Sequence, residues 1–132
     1  MPGKGSPKRI TSFAILASSV ASAATRTSER ILNEFARGVL IRLNVANVAG
    51  GGSFTPSIRV YMADGTAVTY WTAAAAVVGN GNTLYLLSNG NHTNIGALTE
   101  VEDIPLPLGH WDVVLTRNAG NADTLVDATY VK

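Results

Sequence analysis

The chain has 132 residues, of which 14% are charged and 46% are apolar, and its net charge is +1. This length fits one domain with its own core, while the charged fraction lies well below the roughly one quarter usual in soluble proteins. Cysteine is absent, which excludes disulfides, thiolate catalysis and cysteine-ligated zinc and favours synthesis in the cytoplasm. Because so few charges keep copies apart, we expect a partner to cover part of the surface.

Positive charge is concentrated at the start of the chain. Residues 1–30 carry five basic and one acidic side chain, whereas residues 31–132 carry five basic and eight acidic ones. The basic start suits docking onto an acidic neighbour. It lacks the interleaved aromatic residues of a nucleic-acid groove, and no apolar run approaches the roughly 20 residues of a membrane helix. We therefore expect neither nucleic acid nor a membrane as a partner.

The segment that follows alternates with period two. Residues 11–20 predict a strand with Phe13 and Ile15 on one face and Ala14 and Leu16 on the other. Basic residues before an apolar run also outline a secretory signal, but serine and threonine interrupt this run. We interpret residues 1–25 as an extended basic arm. Its candidate partner-binding residues are Lys4, Lys8, Arg9, Phe13 and Ile15.

Residues 28–38 are the helix candidate of the chain. Ser28 is a suitable N-cap, Ile31 and Phe35 share a helical face, and Gly38 can end the helix. A short isolated helix is only marginally stable. A loop or a second strand fits this segment nearly as well, so an irregular connection remains the alternative.

From residue 37 onward, β-branched and aromatic residues alternate between turns rich in glycine and asparagine. The predicted strands lie at about 37–48, 54–62, 68–73, 83–88, 100–106, 110–117 and 124–131, and the first places Val39, Ile41, Leu43 and Val45 on a core face. We expect a flexible connection at 49–53, a tight hairpin at Asp64-Gly65 and a closing hairpin turn at 118–123. Seven or eight such strands predict an all-β fold, an antiparallel β-sandwich of jelly-roll or immunoglobulin-like type over residues 26–132.

The strands carry no recognisable catalytic pattern. His92 and His110 lie near the acidic segment 100–103, but their spacing matches no metal motif. Asp112 and Asp127 occupy mid-strand positions where we expect them to face solvent, so they do not suggest the paired carboxylates of a glycosidase. No G-x-S-x-G motif occurs. We expect no enzymatic activity, no cofactor and no metal.

Aromatic residues leave one alternative open. Rings that stack on sugars would form a carbohydrate-binding face, although their strand positions fit core packing better. That hypothesis requires Trp71 or Trp111 to be exposed. The residues concerned are Tyr61, Tyr70, Trp71, Tyr85 and Trp111.

Several short motifs follow one another in a specific order. Thr11-Ser-Phe-Ala-Ile-Leu-Ala-Ser-Ser19 precedes Thr25-Arg26-Thr27, which precedes Ala36-Arg37-Gly38-Val-Leu-Ile-Arg-Leu-Asn-Val45. Thr55-Pro56-Ser57 follows, and Leu106-Pro107-Leu108-Gly109-His110-Trp111 leads into a valine-rich strand. In this order the motifs resemble a family of small virion proteins of tailed bacteriophages.

The resemblance implies a structural function. It implies a β-sandwich that binds the outer surface of the capsid as a decoration, or cement, protein made in the host cytoplasm. The implied partners are the major capsid protein and further copies of the chain, as a dimer or trimer. A tail or neck component is the alternative within the same family.

Overall fold

The computed structural model describes residues 12–88 and 100–131, and every regular element within these ranges is a β-strand. All pairs are antiparallel except β6 with β7, which is parallel. The all-β, mostly antiparallel prediction is confirmed. The described ranges contain no helix capable of spanning a membrane. The strands are β1 (Ser12–Ser22), β2 (Arg26–Thr27), β3 (Ile31–Asn33), β4 (Gly38–Tyr61), β5 (Ala67–Thr72), β6 (Gly81–Leu87), β7 (Glu100–Glu102) and β8 (Gly109–Val131).

The two longest strands, β4 and β8, organise the fold. They pair from Gly38 opposite Val131 at one end to Val60 opposite Trp111 at the other. The first half of β4 also pairs with β6, and its second half pairs with β5. β4 and β8 thus form a long two-stranded ribbon that contributes to two layers. One layer is ordered β1-β8-β4-β6-β7 and the other β2/β3-β8-β4-β5.

The register between the two strands of the ribbon is irregular where Ala49–Ser53 of β4 faces the middle of β8. A Cβ atom at Gly120 would lie 2.5 Å from the Ala49 carbonyl oxygen, and Gly120 has a φ of 56°. The predicted flexible connection at 49–53 and hairpin turn at 118–123 are therefore wrong. Both segments continue their strands. Their composition is turn-like because the close approach of two backbones needs glycine as much as a turn does.

The inner faces of the two layers meet in one hydrophobic core. Val39, Ile41, Leu43 and Val45 are all buried, as their alternation predicts. The rings of Trp71 in β5 and Tyr85 in β6 lie 5.3 Å apart between centroids and join the layers directly. This packing is that of a β-sandwich whose sheets are not closed into a barrel.

The predicted hairpin at Asp64-Gly65 is confirmed. Met62 N–H donates to the Thr66 carbonyl oxygen at 2.8 Å, and the Asp64 carboxylate accepts the Thr66 N–H at 2.9 Å. Gly65 has a φ of 89°, which a residue with a side chain rarely adopts.

The helix predicted over residues 28–38 is wrong. Ile31 instead pairs with Trp111 in the short strand β3 and packs against the core. A turn follows, in which the Asn33 side chain bonds the backbone of Ala36 in both directions. Tertiary pairing and this side-chain bond replace the few contacts that a short helix would make.

The strand predicted at 11–20 is present as β1, but it forms part of the sheet and does not extend away from it as an arm. β1 pairs with β8 of the same chain, so the boundary placed between an arm (1–25) and a domain (26–132) does not coincide with a break in the sheet. A register shift between Ala14 and Leu16 also breaks the period of two. As a result, Ile15 and Leu16 are both buried in the core.

Candidate partner-binding surface

The residues named from the sequence divide into three groups. Lys4, Lys8 and Arg9 lie outside the described residues. Ile15 packs in the core of its own chain and is therefore closed to a partner. Phe13 is half-buried at the edge of that core.

Phe13 belongs to a group of aromatic rings around Tyr130. The Tyr130 ring centroid lies 5.5 Å from Phe13, 5.5 Å from Phe35 and 6.1 Å from Trp111. The Trp111 indole N–H donates to the Tyr130 hydroxyl at 3.2 Å, and burial raises the pKa of Tyr130. The start of β1 is thereby placed beside Phe35, in the turn after β3.

Phe35 is part of an exposed apolar patch, which we define as Leu32, Phe35 and Leu108. Their exposed fractions are 48%, 50% and 69%. Phe35 and Leu108 line one groove together with Glu34, Arg37 and two prolines. Leu32 lies opposite His110 in the adjoining strand pair. Apolar side chains grouped in this way are a common feature of protein–protein contact sites.

Asn33 holds the patch in shape. This buried side chain donates from Nδ2 to the carbonyl oxygens of Ala36 (2.9 Å) and Pro107 (3.0 Å), and its Oδ1 accepts the Ala36 N–H at 2.8 Å. The Leu106 N–H donates to the Arg37 carbonyl oxygen at 2.9 Å. The turn that carries Phe35 and the segment that carries Leu108 are thus fixed to each other.

The aspartates expected to face solvent do so only in part. Asp112 is buried. Its carboxylate is satisfied there, because Arg59 donates to both oxygens at 2.9 and 2.7 Å and the Tyr61 hydroxyl donates at 2.6 Å. The bond to Asp112 raises the pKa of Tyr61 and that of Arg59. Asp127 forms an ion pair with Arg42. Both aspartates fasten neighbouring strands together.

The acidic segment at the edge of the first layer also makes structural contacts. The Glu100 carboxylate accepts the Trp71 indole N–H at 3.3 Å and the Ala74 N–H at 3.0 Å. A hydrogen bond with Glu100 raises the pKa of Glu102, and burial raises the pKa of nearby Tyr85 to about 12. Among the described residues, no three metal-ligating side chains come together. His92, the other histidine considered for a metal, lies outside the described residues.

Neither tryptophan is available for stacking on a sugar. Trp71 and Trp111 are both buried and belong to the core. The carbohydrate-binding hypothesis required one of them to be exposed. The tryptophans on which that hypothesis depended therefore pack in the core instead.

Phe13 was predicted from its strand pattern, whereas Asn33, Phe35 and Leu108 were not predicted to be parts of a surface. One signal for Leu108 was available, since a leucine between Pro107 and Gly109 is poorly placed for strand pairing. No local pattern identifies Asn33, because its partners at 106 and 107 are distant in sequence.

Comparison with known proteins gives limited information. No family model matches the sequence, and no curated protein matches it. Among solved structures, a chain from the "Structure of infectious bursal disease virus Gx strain" aligns with 18% sequence identity and a TM-score of 0.44. The alignment covers 98% of this chain and 38% of that chain, so this chain spans well under two thirds of the viral one.

Proposed function

We propose that the protein is a virion structural protein that binds the outer surface of a phage capsid as a decoration or cement protein and has no enzymatic activity. The observation that carries the proposal is the apolar patch, which Asn33 holds in shape beside the start of β1. The order of the phage-like sequence motifs and the β-sandwich fold support it.

The proposal also gives a role to the basic start of the chain. Residues 1–11 include Lys4, Lys8 and Arg9 and precede β1, whose Phe13 shares the Tyr130 ring contact with Phe35. We propose that these cations contribute to binding together with the apolar patch. A surface of this composition fits an apolar site with acidic surroundings on the major capsid protein.

Self-association completes the proposed mechanism. A capsid presents many identical sites, so an oligomer of this chain binds several at once. Linked weak contacts of this kind raise the overall affinity without any new contact. The shell is stabilised because each oligomer joins neighbouring subunits.

Binding to particles that lack the protein tests the proposal. The double variant Phe35→Ser/Leu108→Ser should bind at least tenfold more weakly, since truncating a hot-spot residue at the centre of an interface costs about 2 kcal/mol or more. Val20→Ser is the matched control, because Val20 is 80% exposed and lies away from the patch in β1. Its binding should equal that of the wild type.

Deletion of residues 1–11 tests the contribution of the basic start. It leaves Ile15 and Leu16 in the core, whereas a deletion through residue 20 would remove them. Particle binding should weaken and lose much of its salt dependence.

Equal binding by the patch variant and the control would contradict the proposal. Cryo-EM density on the tail or neck, with none on the shell, would replace it with the tail-component alternative.

A further inference from the structure

The edges of the two layers differ in how well they are protected. Natural proteins protect an edge strand with charged residues, proline, bulges or short length. β7 has three residues and carries Glu100 and Glu102, and β2 and β3 have two and three residues. β1 contains three register shifts along its pairing with β8. Each of these edges is a poor template for another chain.

The edge strand β5 lacks most of this protection. Its six residues, Ala67–Thr72, include neither a charged residue nor a proline, and its pairing with β4 has one register shift. No described strand pairs with its other edge. Val68 is 43% exposed, and Thr69 and Thr72 are exposed. The whole stretch 65–99 contains no aspartate, glutamate, lysine or arginine.

We propose that β5 is the edge through which two copies of the chain associate, with the two β5 strands antiparallel across a twofold axis. This inference rests on the self-association included in the proposed function and specifies its surface. A twofold interface brings identical surfaces together, so any charge near the axis meets its own copy. β5 carries no charged side chain of its own, and the Glu100 carboxylate beside it is bonded to the Trp71 and Ala74 N–H groups. The strand is therefore suited to a second copy of itself. Backbone hydrogen bonds then extend the second layer across both chains.

The position of β5 keeps the apolar patch available. In the second layer, β3 and β5 lie at opposite edges, with β8 and β4 between them. Adjacent strands are about 4.8 Å apart, so the two edges are separated by roughly 14 Å. The Tyr70 hydroxyl of β5 does reach the groove, where it donates to the Pro105 carbonyl oxygen at 2.5 Å, but Leu32, Phe35 and Leu108 lie outside β5. A dimer formed through β5 thus carries two patches.

Lysine substitutions on the exposed side of β5 test the interface. Wild-type protein should be a dimer by analytical ultracentrifugation, and Thr69→Lys/Thr72→Lys should raise the dimer dissociation constant at least about tenfold, because like charges oppose each other across the axis. The control Ser18→Lys/Val20→Lys adds the same charge to exposed positions of β1 and should remain dimeric. Circular dichroism and thermal unfolding establish that both variants are folded.

Cysteine cross-linking tests the same contact independently of charge. The chain has no cysteine, so Thr69→Cys introduces a single thiol near the middle of β5. Opposed residues of antiparallel strands have Cα atoms about 4.5–5.5 Å apart, which a disulfide can bridge. Mild oxidation should yield a covalent dimer much faster than it does for Val20→Cys. Equal rates, or a monomeric wild type at high micromolar concentration, would overturn the inference.

Particle binding separates this inference from the proposed function. If wild-type protein dimerises through β5 but binds no particles, the proposed function fails and the interface stands. If the wild type self-associates and binds particles through the patch, but the Thr69→Lys/Thr72→Lys variant self-associates equally well and Thr69→Cys does not cross-link, the β5 interface fails and the proposed function stands.

Discussion

Replacing Asn33 with alanine tests whether the apolar patch depends on buried side-chain hydrogen bonds. Asn33 and Ala36 are both buried, and two bonds of 2.9 and 2.8 Å join the Asn33 amide to the carbonyl and the N–H of Ala36. Leaving a buried polar group unpaired costs about 1–3 kcal/mol. Two such groups at Ala36 give an expected loss of about 2–6 kcal/mol in the free energy of unfolding. That is a large part of the about 5–15 kcal/mol that stabilises a typical domain.

Urea unfolding followed by tryptophan fluorescence measures this loss. The midpoint should fall while the denaturant slope stays unchanged, since the surface exposed on unfolding is nearly the same. Particle binding should weaken as well, although Phe35 and Leu108 are intact. Asn118→Ala is the control, because Asn118 donates to the Thr55 hydroxyl at 2.9 Å from an exposed position. It should cost no more than about 0.5 kcal/mol. Equal losses in the two variants would refute the reasoning.

Two further predictions concern the close approach of β4 and β8 at Gly120 and the acidic strand β7. Gly120→Ala places a Cβ atom 2.5 Å from the Ala49 carbonyl oxygen, so it should lower the unfolding free energy by about 2–5 kcal/mol through overpacking and backbone strain. In the control Gly79→Ala the new Cβ atom meets open space, and the unfolding free energy should change by less than about 1 kcal/mol. Similar values for both variants would contradict the close approach of the two backbones at Gly120. The folded-state pKa of Glu102 is raised by its hydrogen bond with Glu100, so the associated stability is present below the ordinary pKa and is lost as pH rises through the folded-state value. Glu102→Gln should therefore raise Tm at pH 7 and lose that advantage near pH 4, and a pH-independent gain, or the same pH dependence in the exposed control Glu29→Gln, would contradict this assignment.

The part of the fold that the sequence predicted well depends on local alternation. Val39, Ile41, Leu43 and Val45 are buried because a strand turns alternate side chains to one face, wherever its neighbours come from. The Asp64-Gly65 hairpin is equally local. Such features need only a few consecutive residues to be recognised.

The incorrect predictions concern pairing between distant segments. Residues 49–53 and 118–123 have the composition of turns, yet each continues a strand because the other lies beside it in the ribbon. The Asn33 turn replaced a predicted helix for a similar reason, since its bonds reach Pro107. Register between remote strands is not encoded in local composition.

The candidate surface illustrates the same limit. Phe13 was named from its place in the arm, and the structure places it beside Phe35. Ile15 was named by the same alternation and shares the face of Phe13, but that face packs on the core of its own chain, and a bulge adds Leu16 to it. A single inserted residue reverses which side chains face outward, and no pattern in residues 11–20 shows where that insertion falls.

The low charge of the chain takes on a structural meaning once the charged contacts are located. Arg42 and Arg59 are paired with aspartates on neighbouring strands, and Arg26 donates to the carbonyl oxygens of Ala17 and Thr124. These bonds fasten strands to one another, while the Arg42 and Arg59 side chains remain 40% and 31% exposed. β5 itself carries no charged residue, and the groove at the patch carries Glu34 and Arg37, whose charges are of opposite sign. Low net charge at these two sites leaves little electrostatic repulsion to oppose the contacts we propose, with the capsid at one and with a second copy of the chain at the other.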